Sequence, residues 1–318
     1  MEIKKINICD IGGFRIGNAQ DFEAMTGVTA LVFDSENTCG VDISGGGPAA
    51  RESYLFTPLA AKQSITALLL SGGSAYGLQA ASGAMKYLEE KNMGFHLQNL
   101  VVPIVPESCI FDLHIGKSTV RPDFQMGYDA CVAAEKNTPA SGSVGGGTGA
   151  SVGKICGMSR AQKSGIGYAA FQVGELKMGA VVIVNALGDI FDWKNGKKIA
   201  GLLSADRKSF ASTEEQMYKM QEKLPSGMNT TIGAVITNAD FSQQDMSKIA
   251  YMTRAALGRS INPVGTSADG DTIYAISVGK VKSDVNVAGA LACRCLSEAI
   301  IDSIESSKMD DDSYLKLI

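Results

Sequence analysis

The stretch Met228-Asn229-Thr230-Thr231-Ile232-Gly233-Ala234-Val235-Ile236-Thr237-Asn238-Ala239 decides how this chain is read. Two hydroxyl residues head an apolar run whose β-branched members favour a strand. The approach to it, Leu224-Pro225-Ser226-Gly227, is rich in turn formers. Downstream, Asp269-Gly270-Asp271-Thr272 leads into a second β-prone run, Ile273-Tyr274-Ala275-Ile276. A cut before Thr230 would leave that residue with a free α-amine beside its own hydroxyl. Such an amine titrates at about 7.7–8.0, which suits a base working near neutrality. A threonine activated by its own amine needs no histidine, and the chain carries only His96 and His114.

Working outward, residues 28–34 and 40–43 read as strands of an early meander. Residues 65–70, apolar except for Thr66, read as a buried strand. Ser74 is placed to cap a helix running to about residue 90, in which Leu78, Ala81, Met85 and Leu88 recur at helical spacing. A second helix is expected over 124–136, then strands at 165–173 and 178–189 about a turn at Gly174-Glu175. Residues 201–229 are polar and mixed, with a short amphipathic piece at 214–223, and form the best linker candidate. Beyond it come a strand at 232–237, a helix at 242–258, a strand at 272–278 and a long helix at 286–306. In that helix Val287, Leu291, Cys295 and Ala299 sit four apart, and Leu296, Ile300 and Ile304 widen the stripe. Strands and helices alternating in this way need cover on both faces of each sheet, which fits sheets inside and helices outside. Residues 1–318 are taken as a single domain.

Composition narrows the function. Hydrophobic residues make up 45% and charged residues 19%, as in a globular protein with a large core. A net charge of −4, with no basic cluster beyond Lys197-Lys198, gives no reason to expect nucleic acid. No apolar run approaches the length of a membrane span, and the N-terminus lacks a signal-peptide pattern. A cytoplasmic protein without a membrane partner is therefore expected. The seven cysteines are scattered, with no Cys-x-x-Cys pair, so no zinc site or disulfide framework is indicated. All seven are read as small buried hydrophobes. The 36 glycines cluster at Gly45-Gly46-Gly47, at Gly72-Gly73 and between Gly142 and Gly153, where backbone approaches backbone or ligand.

Two tempting motifs fail on spacing. In the run from Gly142 to Lys154, the positions where a phosphate loop needs Gly and Ser or Thr hold Thr148 and Ile155. The dinucleotide pattern fails too, with its last glycine replaced by Ala150 or Val152. Ser74 is not in a Gly-x-Ser-x-Gly elbow, because Tyr76 stands at the last position. Asp269-Gly270-Asp271 can be simple turn residues. Alternatively, two carboxylates two apart in extended backbone face the same way and can hold a hydroxyl and an amine together.

Taken in order, the motifs point to one family. They are 45–52 (GGGPAARE), 70–78 (LSGGSAYGL), 102–106 (VPIVP), the glycine-rich run 145–154, Val184-Asn185-Ala186, Asn229-Thr230-Thr231-Ile232 and Asp269-Gly270-Asp271. Together they resemble the DmpA-like L-aminopeptidase/D-esterase family, which includes β-peptidyl aminopeptidases and nylon-oligomer hydrolases. The resemblance implies an αββα four-layer sandwich with the layout of N-terminal-nucleophile hydrolases. It implies a precursor that cuts itself between Asn229 and Thr230 into 1–229 and 230–318, a homotetramer of processed protomers, and no metal or organic cofactor. Thr230 would be the nucleophile that cleaves a small peptide or other amide through an acyl-threonine. Asp269 and Asp271 would support it, Asn185 would help form the oxyanion hole, and Lys154 would line the site. The glycines about Gly147 would let backbone crowd the substrate.

One departure bears on substrate. Some aminopeptidase members carry Glu-x-Tyr where this chain aligns Cys109 and Phe111, so both polar groups of that substrate-binding motif are missing. Glu107, two residues earlier, is a conceivable substitute. Two alternatives stay open: an acyltransferase of the ornithine-acetyltransferase type, and a processing-dead member acting as a binding protein.

Overall fold

The computed structural model describes residues 2–61, 64–221 and 229–318. The main strands are β1 (Ile3–Ile6), β2 (Phe14–Asp21), β3 (Thr26–Phe33), β4 (Thr38–Ile43), β5 (Ala49–Arg51) and β6 (Ala67–Ser71). They continue with β7 (Glu107–Cys109), β8 (Ile166–Val173), β9 (Leu176–Asn185), β10 (Thr230–Ala239) and β11 (Thr272–Val281). The main helices are α1 (Ala80–Glu90), α2 (Phe124–Ala134), α3 (Gln243–Thr253), α4 (Ala255–Ser260) and α5 (Val285–Glu305).

Two sheets carry the fold. The first runs β1-β8-β9-β10-β11-β4, and the second runs β2-β3-β6-β7-β5. Only β10–β11 and β6–β7 are parallel among their neighbours. Alternation along each strand then decides the layers. Val181, Ile183, Ile232, Ala234, Ile236, Tyr274 and Ile276 face inward and meet Ile16, Leu31, Phe33, Leu68 and Leu70 of the second sheet. The opposite face of the first sheet, with Val182, Val184, Val235, Ile273 and Ala275, packs under α3, α4 and α5. The outer face of the second sheet packs under α1 and α2. The result is the expected αββα sandwich. Close helix contact at its outer layer depends on glycine: a Cβ on Gly83 of α1 would lie 1.7 Å from the Phe124 carbonyl oxygen.

The two pieces expected from a cut at 229/230 are interleaved. β10 lies between β9 and β11, in antiparallel register with β9 from Met178↔Thr237 to Asn185↔Thr230. β11 in turn pairs with β4. Residues 230–318 thus supply two interior strands of a sheet otherwise built from residues 1–185, and severing one peptide bond leaves these ladders intact.

Several local expectations change. Ser74 does not cap the first helix. It has φ +53° and opens a short 3-10 segment, Ser74–Gln79, that precedes α1. The cause is distant in sequence: Asp112 takes the Gly73 N–H and the Ile110 carbonyl takes that of Ser74. The 242–258 helix is two helices, ending and restarting about Arg254. Three cysteines, Cys9, Cys156 and Cys293, are only partly buried, which corrects the reading of all seven as core. The linker candidate is docked as far as it is described. Asp189 accepts the N–H groups of Leu202 and Thr213, and Ser212 caps the short helix Thr213–Met220. The expected turn at 224–227 lies outside the described residues. Among the described residues no helix is long and apolar enough to cross a membrane.

Candidate active site

The site forms where β10 begins and β9 ends, at one edge of the space between the sheets. Thr230 opens β10 directly opposite Asn185, which closes β9. Both side chains share the inward parity of Ile183 and Ile232, so the sheet itself aims them at the same space. Both are buried.

Asn185 is held from three directions. Its Oδ1 accepts the Ser151 N–H at 3.1 Å, and its Nδ2 donates to the Phe111 carbonyl at 2.9 Å. Its own carbonyl accepts from Lys154 Nζ at 2.8 Å. One N–H of the amide remains after these bonds. Burial pulls the Lys154 ammonium down to about 7, against the opposing pull of the Asp269 and Asp112 carboxylates.

The two carboxylates accept from different neighbours. Asp271 binds the backbone that follows Thr230. Its oxygens accept the N–H of Thr231 at 2.6 Å and that of Gly265 at 3.1 Å. Asp269 accepts the N–H and hydroxyl of Thr266 at 2.8 and 2.7 Å. Burial, reinforced by the Asp269 charge, pushes Asp271 up to about 7. Asp269 is also raised by burial, and Lys154 works against the rise. Asp271 thus anchors the backbone immediately after Thr230, with Asp269 beside Lys154.

The bond between Asn229 and Thr230 is enclosed. Asn229 is 3% exposed, and its carbonyl accepts both the Gly270 N–H, at 3.0 Å, and the Thr230 hydroxyl. Neither end of the Asn229 side-chain amide has a partner among the described residues. A cavity of about 810 Å³ reaches Asp271 and Ser44 from the helix side of the first sheet, between Met252, Leu257, Val264 and Gly289.

Of the three expected substrate contacts, only Phe111 stands at the site. It is half-buried, lends its carbonyl to Asn185 and packs its ring 5.0 Å from that of His114. Cys109 is packed away inside β7, paired with Ala49 and Ser71, and burial raises its thiol well above the ordinary value. Gly147 is buried against β8, where a Cβ would lie 2.3 Å from the Ile166 nitrogen. Neither presents a surface to a ligand. Glu107 is not presented to this space. It is fully buried, accepts from the Ser71 hydroxyl at 2.6 Å and the Ala81 N–H at 3.0 Å, and is pushed up to about 8 by burial.

Three supporting groups escaped the sequence reading. Asp112, raised to about 6 by burial, accepts from Thr26 and Gly73 next to Phe111. Lys163, lowered to about 7 by burial, donates to the Ala150 carbonyl at 3.0 Å and so ties down the glycine-rich turn. Ser151 fixes Asn185 through backbone alone. Their bonds join residues 13 to 86 positions apart, which no local spacing shows.

Comparison with known proteins places this arrangement. The model of Peptidase family S58 matches residues 7–311. The chain belongs to Peptidase family S58. Family membership makes it a hydrolase of amide bonds. An uncharacterized aminopeptidase of Mycobacterium leprae is 35% identical over 331 residues, covering 94% of this chain and 90% of the relative. The 6-aminohexanoate-oligomer endohydrolase of Paenarthrobacter ureafaciens is 27% identical over 314 residues, covering 92% and 84%. Among solved structures, the L-aminopeptidase D-Ala-esterase/amidase of Ochrobactrum anthropi, described as a variant of the Ntn hydrolase fold, superposes with a TM-score of 0.73. That match is 14% identical and covers 97% of this chain and 93% of the other. A Burkholderia sp. beta-aminopeptidase superposes at 0.68, with 17% identity over 97% and 92%. The solved structures establish the fold, and the S58 match establishes the broad class of chemistry.

Proposed function

We propose that this S58 member is a self-processing hydrolase that uses Thr230, freed as an N-terminal residue, to cleave small peptides or other amides. The observation that carries the reading is the placement of Thr230: head of an interior strand, opposite Asn185, with its hydroxyl bonded to the carbonyl of its own preceding peptide. That is the bond a maturing nucleophile must break.

After the cut, the Thr230 amine, titrating near 7.7–8.0 when unperturbed, takes the hydroxyl proton as the oxygen attacks a substrate carbonyl. Asn185 donates its remaining N–H to the developing oxyanion. The amine passes the proton to the leaving nitrogen, and water then hydrolyses the acyl-threonine. Burial brings the Lys154 ammonium down and the Asp271 carboxyl up, each to about 7.

The substrate preference follows from what is missing. With Cys109 and Glu107 enclosed and Phe111 apolar, these positions offer no carboxylate for a free substrate amine. Cleavage away from a free amino terminus is favoured over aminopeptidase action, in keeping with a relative named as an oligomer endohydrolase. The proposal includes a tetramer of processed protomers in the cytoplasm. The test is hydrolysis of paired amide substrates with free and acylated amino termini by purified cut protein. Comparable rates on the acylated member are expected. A strict requirement for a free amine would reject the substrate reading.

A further inference from the structure

We infer that the backbone N–H of Gly270 is the oxyanion donor for self-cleavage, separate from the Asn185 amide that serves turnover. The inference rests on the self-processing reading above and adds a group to it.

The carbonyl attacked during self-cleavage is that of Asn229. It already accepts the Gly270 N–H at 3.0 Å. The peptide plane that carries this N–H is held at its other end as well, because the Asp269 carbonyl accepts the Gly47 N–H at 2.9 Å. Asp269 and Asp271, on either side, are pinned through Thr266, Thr231 and Gly265. The donor is therefore fixed before any charge forms, in a place where Asn229, Thr230 and Asp269 are all buried. Asn185 is differently engaged. In register it faces Thr230 rather than Asn229, and its amide is bonded to Phe111 and Ser151.

The geometry also explains glycine between the two aspartates. A Cβ at residue 270 would lie 2.9 Å from Thr230 Oγ1 and 3.1 Å from the Gly47 carbonyl oxygen. Only a residue without a side chain lets this N–H approach the carbonyl without crowding the nucleophile.

In the step itself, Thr230 Oγ bonds to the Asn229 carbonyl carbon and the bond from that carbon to the Thr230 nitrogen breaks. The hydroxyl proton ends on the released nitrogen. Between bond formation and breakage the Asn229 oxygen is anionic, and Gly270 N–H stabilises it. Water then hydrolyses the ester, leaving the Asn229 carboxylate and the Thr230 hydroxyl.

The test removes only the donor. Translation of the full chain with glycolic acid at position 270 turns this amide into an ester. Cutting is followed by intact mass over time, and turnover is measured per molecule bearing N-terminal Thr230. Cutting is expected to slow by ~10²–10³-fold, while turnover per cut molecule falls by less than about tenfold. Cutting within about threefold of wild type, or turnover falling as far as cutting, overturns the inference. Asn185→Ala supplies the mirror image should the ester chain not fold. It is expected to slow turnover while leaving cutting within about tenfold, and equal losses in both would mean one shared oxyanion site and overturn the inference. A wild-type chain that never yields N-terminal Thr230 is seen before any variant is made, and rejects the self-processing reading itself.

Discussion

Asn185→Ala removes three things that can be separated by measurement. The first is the N–H offered to the substrate oxyanion; loss of one such donor costs roughly 10²–10³ in turnover, or about 3–4 kcal/mol. The second is the acceptor for the buried Ser151 N–H, and the third is the donor to the Phe111 carbonyl. Leaving buried polar groups unsatisfied costs about 1–3 kcal/mol each, so the variant, with two such groups, loses roughly 2–6 kcal/mol of stability if no water enters. Asn185→Asp separates the effects. Its Oδ1 still accepts from Ser151, but the second oxygen faces the Phe111 carbonyl and donates nothing when ionised. It should be as inactive as the alanine variant. The assay is amide hydrolysis normalised to titrated N-terminal threonine, alongside denaturant unfolding of each protein. A turnover loss below about threefold in Asn185→Ala would refute the oxyanion role, whatever the stability change.

Other outcomes follow from the same geometry. Thr230→Ala should give a folded, uncut chain of 33.3 kDa with no activity, read on a denaturing gel and by hydrolysis assay; activity surviving in it would reject Thr230 as nucleophile. Asp271→Asn keeps an acceptor for one N–H but must set its amide against the other, at Thr231 or Gly265. It should slow cutting at least tenfold in a time course at pH 7, and normal two-fragment protein would remove this carboxylate from the scheme. Glu107→Gln tests the buried carboxyl pushed up to about 8. Its folded-state pKa lies above its ordinary one, so its favourable contribution is present at low pH and is lost as pH rises from about 4.5 through 8. Relative to wild type, the variant should gain thermal stability at pH 8.5 compared with pH 5. At about 1.4 kcal/mol per pKa unit, the gain is a few kcal/mol at most, and an identical Tm difference at both pH values would contradict it.

The start of β10 could be read from sequence because its signals are local. A turn-rich approach, two threonines and a β-branched run agree on a strand. The apolar stripe of α5 was equally plain, since Leu291, Cys295 and Ala299 repeat at one helical face. β1 and β2 were missed. β1 is a four-residue edge strand with Lys4 and Lys5 at its centre, and β2 holds Gly17, Asn18 and Gln20, poor strand formers that tertiary pairing with β3 overrides. The turn at Ser74 failed for a related reason, because a carboxylate 38 residues away, Asp112, decides it. At the site, residue types with a motif (Thr230, Asn185, Lys154, Asp269, Asp271) converge at one end of the first sheet. The groups acting through backbone atoms, Phe111, Ser151 and Gly270, leave no trace in side-chain chemistry. The burial of Cys109 inside β7 and of Gly147 against β8 depends on the folded arrangement and has no local signal in the sequence.

The central claim is that Thr230 becomes an N-terminal nucleophile, and intact mass spectrometry of the purified protein under denaturing conditions tests it most directly. Two masses of ~24 and ~9 kDa, scaled from 33.3 kDa by 229 and 89 of 318 residues, are predicted, the smaller beginning at Thr230. A single mass of 33.3 kDa in protein that hydrolyses amides would contradict it.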